Sequence, residues 1–464
     1  MRPSVAILVL AGVALQVPLR AQAQAKPQPC RIVLEPGSVT GYAQGQNNYF
    51  AAGDVRLRCE GTSVRIRSDS LASYASQIIE FIGHVRYEDS SMVMTADRGT
   101  YYRDGERWEA RGNVVTKSTR GSTMRGPSLD YFRVLPGQRE LSEVFATGRP
   151  TIEYVPQDST GKTQEAYVIV ADRVRMKGED LLWAGGRVTI DRSDLAAHAD
   201  SMRLDTGAGQ DGALVRDAEV RGLGKDAFSL AGNRIDLKLA NNELTYVQAD
   251  GAGKATSAEW TLVADTIGLD INDRKLEQTM AWGKSTRPHA VSTTYEILAD
   301  SLALDTPGQQ LTEARSFGNA WLASGQDTVA SERDWLRGDT VTAQFARSDS
   351  AGKSHTSVSR IDSRHTARSF YKVKDAAHPG RPSLNYARGD RIVVTMRTDS
   401  TGGVERVEIQ GKVDGVQLEP TKTAARDTTA RAAGDSLPAP AHDTLPAPVR
   451  DTTAVPKPPS VPKP

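Results

Sequence analysis

A short frame, Ala-Asp-x-hydrophobic-x-hydrophobic, recurs about ten times along this chain and constrains its fold more than any other feature. Clear copies are Ala199-Asp-Ser-Met-Arg-Leu-Asp205, Ala264-Asp-Thr-Ile-Gly-Leu-Asp270 and Ala299-Asp-Ser-Leu-Ala-Leu-Asp305. Related copies start at Ser68-Asp69, Ala96-Asp97, Pro127, Ala171-Asp172, Asn233, Asp339 and Asp390. Successive copies lie roughly 28 to 40 residues apart, with longer gaps before Asp172 and Asp390. Two residues after the Asp column stand Leu71, Leu129, Val174, Met202, Ile235, Ile267 and Leu302. Four residues after it stand Tyr101, Met176, Leu204, Leu237, Leu269 and Leu304, with polar residues mostly between the two columns. Apolar side chains at every second position describe strands with one buried face, because a helix would place them at steps of three and four.

A second motif, small-x-Gly and often then x-Val, follows each first one by roughly 14 to 22 residues, as in Ala110-Arg-Gly112-Asn-Val114 and Gly186-Arg-Val188. Glycine in a strand pattern marks a bulge or corner. The reading is therefore all-β: an elongated antiparallel β-solenoid or stacked, trough-like β-jelly-roll in which units stack to bury a shared inner face. Residues 26–150 form a first trough segment and 151–420 further β repeats, with a heavier insert around Pro136–Thr163. The Asp column is read as capping the start of each strand through nearby backbone. Residues 421–464, rich in Pro, Ala and Thr, are too poor in hydrophobics to fold and read as a disordered tail.

The first 25 residues carry Arg2, an apolar run from Val5 to Val17, and alternating small residues to Ala25. That is the pattern of a secretory signal peptide, too short to span a bilayer, which predicts an exported chain in the periplasm or a similar compartment. The formal net charge of +1 removes the electrostatic case for nucleic acid. Cys30 and Cys59 are the only cysteines. In an oxidising compartment two cysteines pair by default. The competing fate, lipidation of Cys30, is disfavoured because Pro27-Gln28-Pro29 lacks the apolar and small residues such processing needs.

The ordered recurrence of these motifs resembles the OstA-like (organic solvent tolerance) family, best in Asn48–Cys59 and from Ala96 to Val114, and less closely over residues 45 to 415. That family includes the periplasmic bridge protein of lipopolysaccharide transport and the periplasmic part of the outer-membrane translocon. The resemblance implies a β-trough that shields the acyl chains of lipopolysaccharide, or a related glycolipid, on the way to the outer membrane. It implies edge-strand pairing with other transport components, end-to-end self-association and an association with the outer membrane. On this reading the inner columns (Leu71, Tyr101, Leu129, Val174, Met176, Met202, Leu204, Ile235, Leu237, Ile267, Leu269, Leu302 and Leu304) contact lipid. Two departures stand out. The chain is longer than a single-domain bridge, and it lacks the C-terminal amphipathic strands of an outer-membrane barrel. From the residues alone, ordinary core packing in a closed structural spacer or adhesin explains the same columns.

No catalytic residue, cofactor or metal is expected. The histidines form no His-Glu-x-x-His. The Asp column has a far longer period than calcium-binding nonapeptides. Three Gly-Lys-Ser/Thr triplets lack the upstream glycine of a phosphate loop. A carbohydrate-active enzyme on a β-solenoid is the enzymatic alternative, since acidic residues abound. The six tryptophans do not share one register, which weakens a sugar-stacking face, and several of them are expected to fill the core near the glycine corners.

Overall fold

The computed structural model describes residues 31–43, 47–157, 160–224, 227–258, 260–325, 333–350, 353–373, 382–397 and 404–419. The signal-peptide segment, Cys30 and the tail after 420 lie outside the described residues. The described chain is all-β: 28 strands in one sheet and a single 3-10 turn at Pro307–Gln309. No helix among the described residues is long and apolar enough to cross a membrane.

Pairing follows chain order. Leu181–Arg192 pairs antiparallel with Leu195–Asp205, which pairs with Asp211–Gly222, then Phe228–Ala240, then Glu243–Ser257. This meander needs only short reversals. Asn241-Asn242 and Asp273-Arg274 make two-residue hairpins with both central residues at positive φ. Some rungs are split: Glu143–Thr147 and Thr151–Tyr154 lie end to end across Thr123–Phe132. The Pro136–Thr163 insert thus becomes a rung, and the ladder runs through residue 150 without a break.

Nearly every rung slips register in its middle. On Met92–Tyr102 the partner jumps from Val115 at Thr95 to Arg111 at Arg98, so the glycine-bearing strand carries one extra residue. Gly112 and Asn113 absorb it at φ +76° and +43°. The slip recurs at Gly83-His84, Gly186-Arg187, Gly251-Ala252 and Gly318-Asn319, and without glycine at Arg216-Asp217 and His365-Thr366. A column of bulges therefore divides the ladder into two halves. Half-sheet I carries the residues that follow each Asp, and half-sheet II those that precede it.

The Asp column has a different role from strand capping. Asp97 and Asp200 sit mid-strand, at the corner, where their carboxylates reach across to the bulge of the next strand. Asn113 donates to Asp97 at 2.8 Å, Arg187 to Asp172 at 2.7 Å and Asn319 to Asp300 at 3.1 Å, while His84 meets Asp69 at 2.8 Å. Backbone capping occurs at Asp265, which accepts from the N–H groups of Lys284, Ser285 and Thr286. A Cβ on Gly112 would run into the Asp97 carboxylate, and one on Gly186 into Asp172. Glycine is needed there both for its positive φ and for the approach of the aspartate.

The inner faces of the two halves pack on each other as one cluster running from Ala51 to Ile392. In half-sheet I the row Val174, Ala184, Met202, Leu214, Ile235, Ala249, Ile267, Ala281, Leu302 alternates large and small from rung to rung, except at Leu214. The Asp-frame strands supply the large side chains and the small-x-Gly strands the small ones. Tyr87 of half-sheet II meets Trp108 of half-sheet I at 5.1 Å between centroids. Trp108 is the one tryptophan that is fully buried; Trp282 is exposed and Trp183 lies on the outer face. Cys59 is buried and disulfide-bonded.

Candidate functional site

The interior between the half-sheets is the candidate site, and the ladder assembles every residue expected to line it. Leu71, Leu129, Val174, Met202, Ile235, Ile267 and Leu302 fall in one cross-strand row beside the corner. Tyr101, Met176, Leu204, Leu237, Leu269 and Leu304 fall in a second row, nearer the mouth between the half-sheets.

Exposure sorts these residues. Ile235 and Ile267 are 0 % exposed and Leu129 and Leu302 2 %, so they are sealed in the core. Met176, Leu204 and Leu237 are half-buried at its margin. Leu71 and Tyr101 reach a cavity of about 370 Å³ near the N-terminal edge, with Ile32, Leu34, Tyr49 and Ile79, rimmed by Arg31 and Arg103. Leu304 borders a second opening of about 430 Å³, lined also by Phe228, Trp260, Leu276 and Leu311, with Leu269 sealed behind it at 2 % exposure. Phe345 stands edge-on to Trp260 there, at 6.3 Å.

Between these openings the mouth is shut by polar contacts from one half-sheet to the other. Tyr154 and Thr206 share a hydrogen bond of 2.7 Å, Arg120 pairs with Asp180 and Glu179, and Asn242 donates to the Gln157 carbonyl. Behind them an apolar void of about 80 Å³ remains among Ile190, Met202, Leu204, Leu214 and Leu237. Burial pushes the Glu179 carboxyl above its ordinary value, against the pull of Arg120. Farther toward the N-terminus Tyr131 donates to Asp89 at 2.8 Å, and its phenol is raised by burial.

The opposite wall was missed by the alignment on Asp. It consists of Ile66, Met94, Met124, Ile169, Leu230, Leu262, Ile297 and Leu336, all buried. Each stands three residues before the Asp, Asn or Pro of the frame. Positions −3 and −1 share a face, and so do +2 and +4, but the alternation loses one step between them. That lost step is the sequence mark of the corner. Among the described residues, no group of three or more His, Cys, Asp or Glu is placed to hold a metal.

No protein-family model matches the chain, and no curated protein matches it.

Proposed function

We propose that this protein is an exported, non-enzymatic carrier of lipopolysaccharide or a related glycolipid, acting in the periplasm during outer-membrane assembly as an OstA-like trough. The observation that carries the reading is a continuous apolar interior that reaches solvent through two openings, one of them rimmed by Arg31 and Arg103. Each methylene removed from water contributes about 0.8 kcal/mol, so an acyl chain needs a run of apolar lining, which the paired rows supply. A guanidinium at the rim suits a phosphorylated headgroup. The described sheet ends in Ile32–Leu34 and Val39–Ala43 on one side and in Val404–Gln410 and Asp414–Leu418 on the other. Such edges offer strand addition to other transport components or to a second copy.

The sealed residues Leu129, Ile235 and Ile267 favour a second reading, a structural spacer with a closed core. A photo-crosslinking amino acid at Leu276 or Leu304, with Ile267 as the sealed control, separates the two. A carrier cross-links glycolipid from the two opening positions in cells. Protein-only adducts at both would leave the spacer.

A further inference from the structure

The outer face of half-sheet I holds a cleft that the lipid reading does not use. It measures about 610 Å³ and is cut across the strands from Glu143–Thr147 to Phe228–Ala240. Side chains here point away from the apolar interior, because outer and inner positions alternate along each strand. Its size falls within the usual range for small-molecule pockets.

One wall is a stack. The Arg175 guanidinium lies between Phe145 at 5.2 Å and Trp183 at 5.3 Å, and its charge is met by Glu143 at 3.1 Å. The stack holds the indole of Trp183 in place beside the cleft. The far side is polar. Arg203 pairs with Asp211 at 2.6 Å and with Asp205, and Arg234 pairs with Asp236. These pairs present guanidinium donors and carboxylate acceptors side by side, the combination that hydroxyl groups bind. Arg173 differs from the other arginines of the cleft. It has no hydrogen-bond or ion-pair partner among the described residues, and its Nε lies 3.1 Å from where a Cβ on Gly185 would stand. The guanidinium therefore lies against the bare backbone of Gly185, with no carboxylate of the described residues in ion-pair contact.

An aromatic plate, alternating donors and acceptors, and one uncommitted cation describe complementary features of a single ligand. The geometry points to a binding site for an acidic saccharide, its apolar ring face on Trp183, its hydroxyls on the Arg203–Asp211 and Arg234–Asp236 pairs, and its carboxylate or phosphate on Arg173. A neutral sugar leaves Arg173 unused, and a small inorganic anion leaves Trp183 and the acidic residues unused. The site lies on the opposite face of the sheet from the interior, so it stands or falls independently of lipid carriage.

The test is titration calorimetry of the full chain with trigalacturonate, with maltotriose as the neutral counterpart and inorganic phosphate as the bare anion. Saturable binding of trigalacturonate is expected, weakened by at least about tenfold in both Arg173→Ala and Trp183→Ala, with phosphate and maltotriose far weaker. Thermal melts of the variants check that the sheet is intact, and Arg98→Ala, on another part of the outer face, should bind as the parent does. Absence of trigalacturonate binding overturns the proposal. So does equal affinity for maltotriose, or binding that survives both cleft substitutions.

Discussion

Two stretches of the same interior are built from the same apolar rows and end differently. Around Tyr154 and Thr206 the half-sheets are bridged by polar side chains, and behind the bridge only a small void remains. Around Phe228, Trp260, Leu276 and Leu311 the rows behind are equally apolar, yet the mouth gapes into a cavity more than five times larger. The rows decide that a core exists. The residues on the rims decide whether it is reachable.

The largest expected effect contrasts sealed with open positions. Ile235→Ala leaves a cavity in a site with no exposure and should cost about 2–5 kcal/mol, whereas Leu276→Ala at the opening should cost about 1 kcal/mol or less. Urea denaturation of the full chain measures both, and equal losses would show that the opening is as tightly packed as the core. Next comes the corner that both stretches share. Gly112→Ala should lose about 1–3 kcal/mol, because an L-residue is strained at that φ and its Cβ meets Asp97. Replacing Asp97 by Ala in the same chain should restore part of that loss.

A smaller effect concerns the bridge. Tyr154→Phe removes the bond to Thr206 and should cost about 0.5–1.5 kcal/mol while raising the binding of an apolar dye, as the closed stretch comes to resemble the open one. Unchanged dye binding would mean that Arg120 and Asn242 hold the mouth alone. The smallest is a pH dependence. Glu179 has its pKa raised in the folded state, so the folded protein binds the proton more tightly than the unfolded chain. Its contribution is fully present below the ordinary glutamate pKa and is lost as pH rises through the raised value. Glu179→Gln should flatten that decline in a series of melts from pH 4 to 8, and an unaltered profile would assign the dependence to another group.

Much of this was readable in the chain. The +2 and +4 columns predicted strands and one inner wall, and the structure places Leu71 through Leu304 in two rows as that alternation requires. The glycine motif predicted corners and found most of them. Corners at Arg216-Asp217 and His365-Thr366 were hidden, because backbone hydrogen bonding on either side can hold residues other than glycine at positive φ. The second wall was hidden by the one-residue slip at each bulge, which breaks the period-two pattern where an alignment on Asp begins. The aspartates were visible but misassigned: their partners come from the following strand, as Asn113 does for Asp97.

The alternation, the paired Asp and Gly columns and the turn residues are local properties, so the sequence by itself determined an all-β ladder with an apolar face and regular corners. Whether that face is shut or open was decided only in the tertiary structure. Closure depends on groups such as Tyr154 and Thr206, 52 residues apart, meeting across the mouth. The stack of Arg175 between Phe145 and Trp183 in the outer cleft likewise comes from neighbours in different strands. Strand formation follows from the period of one segment, but access to a core follows from which distant rims happen to face each other once the corners have bent the sheet.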